Sequence, residues 1–385
     1  MEKGHKNKIR VWVVILSGNK MFIITTRSFL PELGGMQILM TDIANHLSKH
    51  GPVKVYAEDK PNAKAFDQKQ KYEIERTKGF KFIRKFRKAN QIHDFFNKNK
   101  SIAALISDHW KSVEKLSKNI CSSVPTLCLI HGKEINHPIK SPLNIRMINS
   151  LSKAKFIIAN SIFTKNLAIE KGIPENKIII INPGTDMIDN KDLDENGAIN
   201  IYGQSSHPKI ISVCRLEKRK GLEQTLLALK NFQAKYEDFR MVIVGDGDEK
   251  QNLEQQSKQL GLNQNLMFLS DVTQEMKNSL IKVADFFVMP SIQAGKSVEG
   301  FGISYLEAAK FGTPSIAGIT GGASDIVKNG ETGLLCDGEN HNEIYKSLIQ
   351  IMENNNYKLM GEKAKLFSEQ FSWDLQIKKY LDLIY

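Results

Sequence analysis

Short apolar runs alternate with amphipathic stretches twice along this chain, and that alternation restricts the fold more than any other feature. In the first half the runs lie at residues 22–26, 53–57, 103–106, 126–130, 156–160 and 178–181. They are rich in Ile, Val, Leu and Phe, and they lack the strict in-out alternation of a strand with one wet face. Between them, stretches such as 37–49 carry apolar residues at helical spacing. A second series follows, with runs at 210–213, 240–244, 266–268, 286–289 and 314–317, and helical patterns at 222–236, 251–260, 273–283 and 304–310. Strands buried on both faces and alternating with helices make parallel β-α-β units. Residues 189–207 are polar, with Asn, Asp, Gly and Ser and little periodicity, and read as a linker. The expected fold is therefore α/β, with two Rossmann-like doubly wound parallel-sheet domains facing a cleft. Ligands in such sheets bind beyond the carboxyl ends of the strands.

Composition narrows the class without fixing the function. The chain has 385 residues, 41% hydrophobic and 25% charged, which is enough for two domains with real cores. No run approaches the roughly 18 apolar residues of a membrane span. Residues 1–10 are basic and 11–16 apolar, too short a core for a secretory leader, so 1–20 read as an extension. Cys121, Cys128, Cys214 and Cys336 show no metal-ligand spacing and read as buried thiols of a reducing compartment. The net charge of +12 points to an anionic partner: nucleic acid, a phosphorylated substrate or a membrane surface.

Four motifs sit just after strands. Gly34 and Gly35 lie between the first strand and a helix, where they permit a tight turn and leave free amides for a phosphate. His131, followed by Gly132, ends another strand and is placed to bond a sugar hydroxyl or a reacting group. Arg215 and Lys220 share a loop, and two cations near one point suit a diphosphate. Glu299 and Glu307 stand with seven residues between them, in a segment holding Gly300, Phe301, Gly302 and Ile303, with a helix beginning near Ile303. Eight helical steps span about 12 Å, roughly the reach from a donor sugar across a diphosphate to a ribose. The Gly-rich turn Gly321-Gly322 could line the same pocket. Each motif also has an ordinary structural reading as a turn or a solvated loop. Gly245-Asp246-Gly247 lacks the third glycine of a dinucleotide fingerprint, and no P-loop is present.

Taken in this order, the motifs resemble glycosyltransferase family 4, the retaining glycosyltransferases of GT-B fold, over nearly the whole chain from Met21 to Tyr385. The resemblance implies that Arg215 and Lys220 contact the donor diphosphate, Glu299 the donor sugar and Glu307 the nucleotide ribose. It implies that Gly34 and Gly35 form the amino-terminal glycine loop and that His131 lies near the sugar and the acceptor. Gly300, Phe301, Gly302 and Ile303 fall in its donor-binding segment. Asn182-Pro183-Gly184-Thr185-Asp186 matches its turn before the linker, and Phe371-Ser372-Trp373 resembles the start of its last helix, which commonly crosses back onto the first domain. The implied organisation is an extension (1–20), an acceptor domain (21–188), a linker (189–207), a donor domain (208–365) and a carboxyl-terminal helix (366–385). Ser270 and Asp325 depart from the usual Gly and Glu near the expected base or sugar pocket, which leaves the donor open. Segment 299–327 and the Pro183-Gly184-Thr185-Asp186 turn look similar to bacterial phosphatidylinositol mannosyltransferases, which favours GDP-mannose as donor and leaves UDP-glucose or another UDP-sugar open. The implied reaction is metal-independent and cofactor-free, the leaving diphosphate taking the acceptor's proton.

Residues 78–96 bear on the acceptor. Lys78, Lys81, Arg84, Lys85, Arg87 and Lys88 mix with Phe80, Phe82, Ile83, Phe86 and Phe96, with no acid before Asp94. A basic amphipathic helix of this kind suits an anionic membrane surface, on the cytoplasmic face of a plasma membrane if the acceptor is a lipid. The plainer reading packs Phe82, Ile83, Phe86 and His93 against the first sheet. A lipid or glycolipid acceptor and a growing surface polysaccharide or lipopolysaccharide both fit. A non-catalytic nucleotide-sugar-binding protein is the rival of another class, and no nucleic-acid module is present.

Overall fold

The structure, a computed structural model, describes residues 20–32, 34–186 and 193–385. The expected extension, Lys20 apart, and the linker's 189–192 lie outside the described residues. The chain divides into two compact units. One holds the chain up to Asn160 together with Lys165–Pro183 and Trp373–Tyr385; the other holds Ser161–Thr164 and Gly184–Ser372.

In the first unit seven parallel strands form one sheet: β1 (Met21–Thr25), β2 (Val53–Glu58), β3 (Glu73–Thr77), β4 (Ile102–Ser107), β5 (Thr126–Ile130), β6 (Phe156–Ala159) and β7 (Ile178–Ile180). Their order is β3-β2-β1-β4-β5-β6-β7, so the winding reverses between β1 and β4. Helix α1 (Gly35–Leu47) lays Met40, Ile43 and Leu47 on Phe22, Val55 and Ile106. The carboxyl-terminal helix Trp373–Ile384 adds Trp373, Ile377 and Tyr380 to the same core, with Trp373 stacked on His46 at 5.2 Å. β3 was not expected, because Glu73, Glu75 and Arg76 give it a polar, half-wet face suited to a sheet edge.

Helix α2 (Lys81–Lys98) turns Lys88, Ala89, Ile92 and Phe96 inward. Phe80 and Phe82 are 81% and 80% exposed, and Ile83 and Phe86 about half. The plainer sequence reading, with Phe82, Ile83 and Phe86 on the sheet, is thereby overturned: the inward stripe is one turn later and carries a lysine. Among the described residues no helix is long and apolar enough to cross a membrane.

The second unit has six parallel strands: β8 (Lys209–Val213), β9 (Arg240–Val244), β10 (Leu266–Leu269), β11 (Phe286–Met289), β12 (Ser315–Gly318) and β13 (Gly333–Cys336). The order β10-β9-β8-β11-β12-β13 reverses between β8 and β11. The segment read as a linker is in part a helix, α3 (Glu195–Tyr202). Asp194 caps it by accepting the Gly197 N–H at 2.8 Å. Tyr202 is fully buried and its hydroxyl donates to the Leu280 carbonyl at 3.1 Å. Eight residues with Asn and Gly among them carry little helical signal; packing on α4 (Gln274–Val283) decides the matter. The last helix of this unit that concerns the site is α5 (Ile303–Lys310).

Candidate functional site

In the second unit, the loops after β8 and β11 meet at the point where the winding reverses, the usual ligand end of such a sheet. After Val213 the chain turns through Arg215 and Glu217 into a single 3-10 turn, Lys218–Lys220, closed by Gly221 in left-handed backbone (φ 71°). A side chain at Gly221 would collide with the Pro290 carbonyl just after β11, so the two loops are packed backbone to backbone. That packing delivers Lys220 to Glu299. The Lys220 ammonium and the Arg219 guanidinium both donate to Glu299 Oε2, at 2.5 and 2.6 Å. Arg219 Nε also donates to Glu217 Oε2 at 2.9 Å. Burial alone pushes the Glu299 carboxyl up; Lys220 and Arg219 more than offset it and hold it down at about 2. The carboxylate is thus buried, charged and doubly paired.

Helix α5 begins four residues after Glu299. Gly302 caps it with φ 88°, and a side chain there would strike the Tyr305 ring. Gly302→Ala should therefore destabilise the protein by about 1–3 kcal/mol, through left-handed strain and the clash, which a urea titration would measure. Glu307, one turn into the helix, accepts from Lys277 Nζ of α4 at 2.6 Å. The turn Gly321-Gly322 lies against this segment: the Gly322 N–H donates to the Glu299 carbonyl at 2.9 Å.

On this loop the Arg215 side chain is 60% exposed, with Glu217 at 3.6 Å, while Arg219 shares Glu299 with Lys220. The Phe301 side chain is buried against Phe371, ring centroids 5.9 Å apart, so a ligand could use only its backbone. Gly300 and Ile303 frame the start of α5, where the first helical amides lack intrahelical partners.

In the first unit, Gly34 caps α1 and Gly35 opens it, with no acid in the first turn. His131 follows β5; its N–H donates to Glu134 Oε1 at 2.6 Å. Its Nε2 lies 3.0 Å from the Asp108 carbonyl. A carbonyl only accepts, so Nε2 is the donor in this contact. Sequence reasoning did not single out Arg219 or, in the first unit, the charged residues Arg27, Glu58 and Asp108; Arg84 and Lys88 it read as part of the basic 78–96 segment. Arg27, Glu58 and Asp108 stand at or just past the ends of β1, β2 and β4, a placement that means little until the strand order is known.

Doubly wound parallel sheets, one carrying a cation-carboxylate cluster at its switch point, fit the GT-B architecture that the motifs resemble. Residues 33–187 match the profile described as Glycosyltransferase Family 4, and residues 200–367 the one described as Glycosyl transferases group 1. The chain belongs to the family 4 type of glycosyltransferase. It is 24% identical over 392 residues to the GDP-mannose-dependent alpha-(1-6)-phosphatidylinositol monomannoside mannosyltransferase of Mycobacterium tuberculosis, covering 94% of this chain and 97% of that one. To the protein of the same name from Mycolicibacterium smegmatis it is 35% identical over 139 residues, 36% of each chain. Among solved structures it resembles Anabaena HepE in complex with UDP, with a TM-score of 0.79 and 18% identity over 94% of this chain and 98% of that one. At that identity the likeness is one of fold.

Proposed function

We propose that this chain transfers a hexosyl group, with retention and without a metal, from a nucleotide-diphosphate sugar to a membrane-associated lipid or glycolipid acceptor. The buried Glu299 held by Lys220 and Arg219 at the start of α5 carries this reading. A donor diphosphate would draw Lys220 from Glu299, and Arg215, free to swing, would join it. Arg219 would remain on the carboxylate. The first amides of α5 add fixed positive dipoles where charge develops on the leaving group. Glu299 then faces the sugar and Glu307 the ribose; in the first unit, His131 and the Gly34-Gly35 turn serve the acceptor. The leaving diphosphate oxygen takes the acceptor hydroxyl's proton on the face it departs from, as the new glycosidic bond forms there.

The donor is of the GDP-mannose or UDP-glucose type. Similarity to the GDP-mannose-dependent mycobacterial enzymes supports the first and similarity to the HepE complex with UDP the second. The exposed tip of α2 supports a peripheral seat on an anionic bilayer, at the inner face of the plasma membrane. There, Phe80, Phe82, Ile83 and Phe86 stand beside Arg87 and Lys85, and the Lys115 ammonium lies 4.9 Å over the Phe86 ring.

Thermal unfolding with GDP, UDP and their sugar conjugates, in the presence of EDTA, tests the donor half. One nucleotide family should raise the midpoint; ligand at a hundred times its Kd adds about 2.7 kcal/mol. If no nucleotide shifts it, the donor site is wrongly assigned.

A further inference from the structure

A second charged cluster lies in the first unit, at its own switch point between β1 and β4. Arg27 follows β1, Glu58 ends β2, Asp108 follows β4, and Arg84 and Lys88 project from adjacent turns of α2. Asp108 is fully engaged: Oδ2 accepts from Thr26 Oγ1 at 2.9 Å and from the Arg27 N–H at 2.8 Å, and Oδ1 from Ser112 Oγ at 2.6 Å. Lys88, completely buried, donates to the Thr26 carbonyl at 2.7 Å. Glu58 is left to serve two guanidiniums, and it serves both loosely, at 3.7 Å from Arg27 Nε and 3.3 Å from Arg84 Nη1. Arg84 Nε is buried and finds no acceptor among the described residues. His109 adds no charge: burial holds its imidazole neutral, down to about 3, with Nδ1 accepting the Lys111 N–H.

Arg27 and Arg84 thus share one loosely held carboxylate, while Asp108 is engaged by Thr26, Ser112 and the Arg27 amide, and Lys88 by the Thr26 carbonyl. Two planar forks with spare N–H groups, Arg27 a third exposed, can take an oxyanion between them. Position indicates where that oxyanion comes from. Arg84 sits four residues after Phe80 and two before Phe86, about 3–6 Å along the helix axis from the apolar tip of α2. If the tip enters a bilayer, lipid phosphates lie at that depth.

We propose that Arg27 and Arg84 form a phosphate subsite that holds the phosphorylated headgroup of the acceptor. The inference deepens the proposed function and rests on it for the acceptor's role. The same helix then does two jobs: its outer tip seats the protein on the membrane, and its inner face collects the headgroup at the switch point.

The test uses the full chain, with glycerol 3-phosphate and inorganic phosphate as soluble probes. Vesicles of phosphatidylcholine, with and without phosphatidylglycerol, serve for flotation. Only binding removed by the double variant Arg27→Gln/Arg84→Gln is counted, which sets aside phosphate taken by the Lys220 cluster. Expected is a loss of glycerol 3-phosphate affinity of about tenfold or more in that variant, with Arg27→Lys/Arg84→Lys retaining part of it. Phe82→Ser/Phe86→Ser should bind glycerol 3-phosphate normally and float poorly with anionic vesicles. Equal glycerol 3-phosphate binding by wild type and the Gln variant overturns the subsite. So does tighter binding of inorganic phosphate than of glycerol 3-phosphate, which would make it a site for the free ion. If nucleotides fail to bind while Arg27 and Arg84 still govern phosphate binding, the subsite stands and the transferase reading falls.

Discussion

Lys220→Ala should lower turnover by roughly two to three orders of magnitude while the protein stays folded. The ammonium is almost wholly buried, held at the switch point by the Gly221–Pro290 packing, and it is the cation best placed for a leaving diphosphate. Truncation leaves Glu299 paired with Arg219 at 2.6 Å, so the carboxylate is not stranded and folding is largely kept. Arg215→Ala should cost less, about tenfold, because its side chain is exposed and must be recruited when donor binds. Steady-state transfer measured at saturating donor, alongside a melting curve for each variant, separates lost chemistry from lost fold. Near-normal turnover in Lys220→Ala would remove the diphosphate site from this loop.

The contrast between those two residues shows what a sequence can and cannot carry. Both units were legible, because strands buried on both faces leave continuous apolar runs and the helices between them leave periodic ones. β3 was not, since its charged residues trade hydrophobic signal for edge protection. The helix at Glu195–Tyr202 was hidden because its stability comes from Tyr202 packing on Leu280, a contact 78 residues away. The site behaved in the same way. Glu299, Lys220 and Gly302 were visible because backbone and charge demands fix their identities. Arg219 was not, because adjacency to Lys220 says nothing about which of three successive basic residues turns inward. The tip of α2 was misjudged in its plainer reading for a related reason: apolar periodicity tells that a helix has a face, not what covers it.

Glu299→Gln should be the most damaging single change to stability, and it should act through the cations rather than the carboxylate. Removing one partner of a buried ion pair costs about 3–5 kcal/mol, because the buried Lys220 then loses its carboxylate while Arg219 keeps Glu217. The midpoint of thermal unfolding should fall by roughly 10 °C. The pH dependence gives the cause. Glu299 titrates near 2 when folded and ordinarily near 4.5, so its contribution is complete above 4.5 and is lost as pH falls towards 2. The gap between wild type and Glu299→Gln, followed by urea unfolding, should therefore narrow over that interval; a constant gap would mean that packing, not charge, holds the cluster. Adding Lys220→Met to Glu299→Gln should recover part of the loss, since it removes an unpaired buried charge. Binding discriminates further. With their carboxylate gone, the two cations no longer compete with it for a ligand, so Glu299→Gln should bind the nucleotide diphosphate at least as tightly as wild type while transferring sugar poorly. Loss of nucleotide affinity together with turnover would place Glu299 on the nucleotide rather than on the sugar.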